Sequence, residues 1–264
     1  MADESPESLV LSGTEPRSAE PEAGAHAAAL QALAERYGEF LRREFPLNAL
    51  MAGQPSEDPT LFREGPADVE RRAMQAGAFL AELQSVRADA LSGQDRITHR
   101  LLARELGDLQ AQHATGSHWR PWLLPAGPEF NTIYFANVSS IGDAAAAATY
   151  VARLATVPAY FADVQACLRE GAQQGVHHPR AVLTAALSNL RAAARGAGEG
   201  APWFAPFRRS NAAAQPAVQR EAQRARELID QRLLPALSAL ADVVEHELLP
   251  QARDTIACTE GPHG

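Results

Sequence analysis

The sequence contains no lysine, so all 24 of its basic residues are arginine. A GC-rich coding bias explains this more simply than a functional need for 24 guanidinium groups. Acidic residues number 32, and the formal net charge is −8. Because nucleic-acid binding requires a basic face, this charge balance argues against a nucleic-acid partner.

Cysteine is also scarce. The chain has two, Cys167 and Cys258, which are too few for a disulfide framework. No run approaches the roughly 18 consecutive apolar residues that a membrane-spanning helix needs. The first eight residues, MADESPES, lack the basic and apolar regions of a signal peptide. We therefore predict a cytoplasmic protein without a membrane partner.

Aromatic residues make up only 6% of the chain, although its apolar content is 46%. Alanine, the strongest helix former, is abundant, and the residues that favour strands are few. A chain of 264 residues is long enough to bury a sizeable core. The composition predicts an all-α protein built as an antiparallel array of helices. We predict a disordered acidic tail over residues 1–24 and one helical domain over residues 25–264.

Helix boundaries follow from capping and breaking residues. Asp143 and Ser92 are good N-cap residues, Pro158 suits the first position of a helix, and Gly175 suits a helix end. The predicted helices span residues 25–44 and 67–91, the stretch after Ser92, three segments within 143–195, and 212–234 and 235–249 with a break or kink at Pro235. Residues 47–66 are predicted to be a loop, in which Pro and Gly recur.

Residues 115–141 show no clear periodicity, which predicts one long irregular loop rich in aromatic side chains. Two interpretations stay open: this loop is a wall of a substrate groove, or its aromatics attach it to the helical layer. The candidate binding residues here are Trp119, Trp122 and Tyr134. Trp203 and Arg208 are further candidates, in a groove over residues 203–209 that carries arginine and aromatic side chains.

The only near-match to a catalytic metal motif is His246-Glu247-Leu248-Leu249-Pro250. A zincin helix needs histidines at i and i+4 to reach one metal ion, and Pro250 cannot bind zinc. His246 is expected to face solvent. The adjacent His177 and His178 are predicted to have capping or surface roles.

Other catalytic motifs are absent from the sequence, including Cys-x-x-Cys, Gly-x-Ser-x-Gly and Gly-x-Gly-x-x-Gly. Cys167 is predicted to be a small core residue. We therefore predict no catalytic residue, no metal ligand and no cofactor in this chain.

The run YVARLATVPAYFADVQACLREGAQQGVHHPR at residues 150–180 resembles the signature region of the bacterial domain-of-unknown-function 885 family. The matching residues are Tyr150, Arg153, Leu154, Pro158, Arg169, Gly171, Gly175, Pro179 and Arg180. The segments FPLNALMAG (45–53), DRITHRLLARELGDL (95–109), WLLP (122–125) and FAPFRR (204–209) fit in the same order. The resemblance runs from about residue 33 to the C-terminus.

This resemblance implies a mostly helical, zinc-metallopeptidase-like fold, of which the chain corresponds to the N-terminal half. Zinc would be bound by a His-Glu-x-x-His motif in the C-terminal half. Three hypotheses follow: a truncated or separately encoded member that is not catalytic alone, one half of a two-chain zinc peptidase, or a free-standing protein- or peptide-binding module. The expected partners are a missing C-terminal half or a second copy of this chain.

Overall fold

The computed structural model describes residues 19–122 and 127–257, and these residues form an all-α array, as predicted. The helices are α1 (Ala19–Glu44), α2 (Pro46–Met51), α3 (Pro66–Gln84), α4 (Gly93–Ala114), α5 (Pro128–Val138), α6 (Ala144–Leu154), α7 (Val157–Gln173), α8 (Arg180–Ala193), α9 (Ala205–Arg208), α10 (Pro216–Leu228) and α11 (Leu234–Asp242). Within these residues, the only β-type pairing is an isolated bridge between Pro179 and Arg253.

The predicted helix signals act as expected. The Ser92 hydroxyl accepts a hydrogen bond from the Asp95 N–H at 3.2 Å and caps α4. The Asp143 carboxylate accepts one from the Ala146 N–H at 2.8 Å and caps α6. Pro158 lies in the first turn of α7, and Gly175 follows that helix with a left-handed φ of 77°. These local signals place the three central helices where the sequence predicts them.

Several predicted boundaries are wrong. Helix α1 begins at Ala19 rather than at residue 25, and α3 ends at Gln84 rather than at residue 91. Residues 46–51 form α2 inside the predicted loop, because Pro46 can start a helix as well as end one. The remaining part of the predicted tail, residues 1–18, lies outside the described residues.

The predicted irregular region also needs correction, because residues 128–138 form α5. This helix buries one face, including Thr132 and Phe135, but carries apolar residues on its exposed face as well. A helix that is apolar on both faces has little amphipathic periodicity, so the sequence pattern does not indicate a helix here.

The C-terminal helix bends through two π-helical segments, Ile229–Leu233 and Val243–Leu248. The first of them precedes Pro235, which has no N–H to donate to the preceding turn. A widened turn accommodates that missing hydrogen bond, so the predicted break or kink takes the form of a π-helical segment.

The buried apolar residues form two clusters. Helices α1, α3 and α4 enclose the smaller one around Leu33, Phe40 and Leu106. Helices α5 to α8, α10 and α11 enclose the larger one, which includes Phe161 and Trp203. Segment 52–65 contacts both groups, because Leu61 belongs to the larger cluster and Arg63 donates to the Arg43 carbonyl of α1 at 3.1 Å. Among the described residues, none of the helices combines the length and hydrophobicity that a bilayer span requires.

Candidate functional site

The predicted binding residues do not converge on one site. Trp203 is fully buried, donates its indole N–H to the Thr132 hydroxyl at 3.0 Å, and accepts a hydrogen bond from the Tyr150 hydroxyl on its carbonyl at 2.5 Å. Its environment is that of a core residue that joins α5 to α6. Tyr134, by contrast, lies on the exposed face of α5.

Trp119 and Trp122 pack against the protein interior. A Cβ atom on Gly171 would lie 2.6 Å from the Trp119 Cβ, so the tryptophan requires a glycine on α7 at this point. Trp122 is buried, beside the Glu129 carboxyl group. Of the predicted WLLP segment, Leu123, Leu124 and Pro125 lie outside the described residues, as does Cys258.

Arg208 is exposed and lines a groove of about 470 Å³ with Phe204, Phe207 and Arg226. Its guanidinium already donates to the carbonyl oxygens of Glu199 and Ala201. Arg226 forms an ion pair with the Glu199 carboxylate and lies over the Phe204 ring, 5.3 Å from its centroid. Both arginine side chains of this groove therefore already have hydrogen-bond or ion-pair partners within the chain.

The largest departure from prediction is His178, which is buried rather than on the surface, whereas its neighbour His177 is exposed. The His178 ring meets Trp122 edge-on, with the ring centroids 6.4 Å apart. Burial penalises the charged imidazolium and lowers the pKa of His178 to about 4. The side chain is therefore neutral in the folded protein near neutral pH.

This burial predicts a pH dependence of stability. The unfolded His178 takes up a proton near pH 6.5, while the folded one does so only near pH 4, so stability falls as the pH drops through this window. We expect the free energy of unfolding to lose about 2–3 kcal/mol from this group. His178→Leu should flatten that part of the stability curve, measured by urea unfolding at a series of pH values. His177→Leu is the matched control, and an equal effect of both variants would contradict the assignment.

A continuous exposed surface on α5 is the strongest candidate site. Phe130, Tyr134 and Val138 are 51%, 36% and 45% exposed, and the first two rings stack at 6.0 Å. These residues fall at i, i+4 and i+8, on one side of the helix. Asn131 is also exposed and borders them. We call these four residues the α5 face.

A cavity of about 180 Å³ adjoins the Asn131 end of the α5 face and is called the Cys167 cavity. Its lining residues are Glu64, His118, Pro121, Pro128, Asn131, Tyr160, Val164 and Cys167. Asn131 donates to the Tyr160 hydroxyl at 3.4 Å, and Phe62 stacks on the Tyr160 ring at 4.1 Å. The helix face therefore opens at this end into a polar recess.

Burial shifts the pKa values of ionisable groups in the Cys167 cavity in the direction that favours their neutral forms. Burial raises the pKa of Glu64 and lowers that of His118. Burial, and then the nearby Glu170 carboxylate, raise the pKa of the Cys167 thiol to about 12. The thiol also donates to the Glu64 carbonyl at 3.2 Å. Because the thiolate is the reactive form, Cys167 is unsuited to nucleophilic catalysis, in line with the prediction of a core residue.

A groove of about 450 Å³ adjoins the opposite end of the α5 face and is called the Arg153 groove. Its lining residues are Leu50, Met51, Pro55, Phe135, Val138, Ser139, Ser140, Ala146, Thr149, Tyr150 and Arg153. Val138 thus belongs to both the α5 face and the groove. The two cavities and the helix face between them form one surface.

Residues 46–264 match the profile of a family described as bacterial protein of unknown function (DUF885). The chain belongs to the DUF885 family. No curated protein matches it. The matched region of this DUF885 chain contains the α5 face, the Cys167 cavity and the Arg153 groove, while α1 precedes it.

The described residues of this DUF885 chain do not fit a zinc ion. Their only set of three potential ligands within mutual reach is Asp242, Glu245 and His246. Arg191 donates to both carboxylates at 2.7 Å, so its guanidinium already occupies the place a cation would take. His246 is exposed, as the sequence predicts, and Pro250 stands where a second histidine would be needed.

The sequence reasoning missed Phe130, Val138 and Arg153 as site residues. The signal for the first two is the four-residue spacing of Phe130, Tyr134 and Val138, which follows Pro128 at a possible helix start. Arg153 carries no such signal, because its lack of an acidic partner is a property of the folded structure.

Proposed function

We propose that this DUF885 chain binds extended polypeptide along the α5 face. The observation that carries the proposal is the exposed row of Phe130, Tyr134 and Val138 with a cavity at each end. Contiguous exposed apolar surface is costly in water and commonly marks a binding site. Aromatic rings give such a site large contact area with few side-chain torsions to fix.

The dimensions suit a short extended segment. Asn131 and Val138 are seven residues apart on one helix, which corresponds to about 10 Å along its axis. An extended chain covers that distance with about three residues. The cavities beyond each end would add room for one residue on either side. A bound segment of about five residues therefore matches the surface.

Binding is a better supported role for the described residues than catalysis. Cys167 is held as a thiol, and the ligand set near His246 is taken by Arg191. In the metallopeptidase-like arrangement that the resemblance implies, the polypeptide on the α5 face would be the substrate. The zinc and its base would then come from residues other than those described here, whether in the same polypeptide or in a partner chain.

The test is a pair of serine variants. Phe130→Ser combined with Tyr134→Ser should weaken binding of fluorescein-labelled apolar pentapeptides at least about tenfold, measured by anisotropy titration. The melting temperature should hardly change, because both side chains are exposed.

The matched control is Ile97→Ser with Leu101→Ser, which removes two equally exposed apolar side chains from α4. Peptide affinity should stay at the wild-type value in this control. If neither variant changes affinity, or if no pentapeptide in a set with varied sequences binds the wild type, the proposal is wrong. Dimerisation abolished by the α5 variant would identify the face as a self-association surface instead.

A further inference from the structure

Resting on the proposed function, we propose that the Arg153 groove binds the α-carboxylate of a peptide whose last side chain is apolar. The bound peptide would then run along the α5 face with its C-terminus at Arg153. The inference depends on three features of the surface: an arginine without an acidic partner among the described residues, apolar walls beside it, and a carboxyl group at the opposite end of the face.

Arg153 is half-buried in the last turn of α6 and makes one long hydrogen bond, from its Nη2 to the Ser56 carbonyl at 3.4 Å. Among the described residues, no carboxylate lies within ion-pair distance of it. A guanidinium has five N–H donors in a planar fork that matches a carboxylate. Most of that capacity is unused at Arg153.

Other arginine side chains in the same molecule do form ion pairs with carboxylates. Arg169 holds both Glu247 oxygens, at 2.8 and 2.7 Å. Arg191 bridges Asp242 and Glu245. These pairs are satisfied within the chain, whereas the guanidinium in the Arg153 groove faces open space beside a candidate peptide site. Burial also lowers the pKa of Arg153, which indicates that its charge is poorly compensated.

The walls next to Arg153 suit an apolar side chain. Met51 on α2 and Val138 on α5 are both exposed and line the groove. The Thr149 hydroxyl lies one turn before Arg153 on the same helix, within reach of a second carboxylate oxygen. The groove's volume of about 450 Å³ falls within the range of small-ligand sites.

Charge sets the direction of the peptide. The groove lies at the carbonyl end of α5, near Ser139, where the helix dipole opposes an anion, so the Arg153 guanidinium is the group that would hold the carboxylate, with the apolar side chain at Val138. At the opposite end, the Glu64 side chain lines the Cys167 cavity. Its carboxyl oxygens accept hydrogen bonds in either protonation state, which suits the N–H donors on the peptide's N-terminal side.

The experiment has two arms. The first compares a labelled pentapeptide ending in leucine as the free acid with the same peptide as the C-terminal amide, on the wild type and on Arg153→Gln. We expect the amide to bind about tenfold more weakly to the wild type, and the two forms to bind alike to Arg153→Gln. Arg100→Gln, an exposed arginine on α4, is the matched control and should behave as the wild type.

The second arm titrates N-acetylleucine and its amide directly, following amide shifts around Thr149 and Val138 by NMR. Shifts with the acid but not with the amide support the inference, even if longer peptides fail to bind. Failure of the longer peptides to bind would in that case reject the proposed function alone. Equal binding of acid and amide peptides to the wild type, or binding of an amidated peptide through an internal glutamate, overturns the inference and leaves the proposed function standing. Absence of binding in both arms overturns both.

Discussion

Replacing Trp203 with alanine should lower the free energy of unfolding by about 3–5 kcal/mol. The side chain is fully buried within the larger cluster, so the substitution removes its apolar contacts and leaves a cavity. It also deprives the buried Thr132 hydroxyl of the donor that now lies 3.0 Å away. A fall of about 10 °C in melting temperature, followed by calorimetry or circular dichroism, is the expected result.

Two controls separate packing from hydrogen bonding. Trp203→Phe keeps most of the ring volume and removes the N–H donor, so about 1–2 kcal/mol should be lost. Tyr134→Ala removes an exposed aromatic side chain and should change stability by less than about 0.5 kcal/mol. If Trp203→Ala were as stable as the wild type but lost peptide binding, the placement of this residue in the core would be wrong.

Local signals made most of the helical framework predictable. Ser92, Asp143, Pro158 and Gly175 each act through backbone atoms within a few residues, so their effect can be read without knowledge of the fold. The resemblance to the family drew on residues of this central region, and the family match confirms it. The zinc-peptidase-like character that the resemblance implies stays a prediction.

Helix α5 and the candidate site were not predictable in the same way, because they depend on contacts between residues that are far apart in the chain. The indole of Trp203 is buried because it meets Thr132, 71 residues earlier. Arg191 finds its acidic partners 51 and 54 residues later, whereas Arg153 finds none among the described residues. Composition and periodicity give no information about such contacts between residues that are far apart in the sequence. The sequence therefore indicated which aromatic residues are candidates for packing or binding, but not which of them are buried, as Trp203 is, and which stay exposed, as Tyr134 does.

Arg72 on α3 is the second residue whose replacement should strongly lower stability. It is 6% exposed, donates to the Arg63 carbonyl at 2.6 Å and to the Glu64 carboxylate at 2.9 Å, and lies 4.9 Å from the Phe45 ring centroid. These contacts join the N-terminal helices to the segment that lines the Cys167 cavity. Arg72→Met should cost about 2–3 kcal/mol, because it leaves the Arg63 carbonyl and the partly exposed Glu64 carboxylate without their donor.

The matched control is Arg36→Met, which removes the half-exposed ion pair between Arg36 and Glu82, also linking α1 and α3. Such exposed pairs contribute at most about 1 kcal/mol. Arg72→Lys should be intermediate, because an ammonium keeps the charge but cannot reach the same acceptors in a planar fork. Equal losses from Arg72→Met and Arg36→Met in urea unfolding would contradict the structural role of Arg72.

The pH dependence of the stability loss in Arg72→Met provides a second test, because a simple packing defect would not depend on pH. Burial raises the pKa of Glu64 and the Arg72 charge opposes that rise, so the variant's Glu64 should have a pKa that is higher still. A carboxyl group whose pKa is higher in the folded state than its unfolded value of about 4.5 binds its proton more tightly in the folded protein. The free energy of unfolding therefore falls as the pH rises from the unfolded pKa towards the folded one. The difference between wild type and Arg72→Met should therefore be largest near pH 7 and shrink towards pH 4, where Glu64 is protonated in both. A difference that is constant across this range would mean that the carboxylate plays no part in what Arg72 contributes.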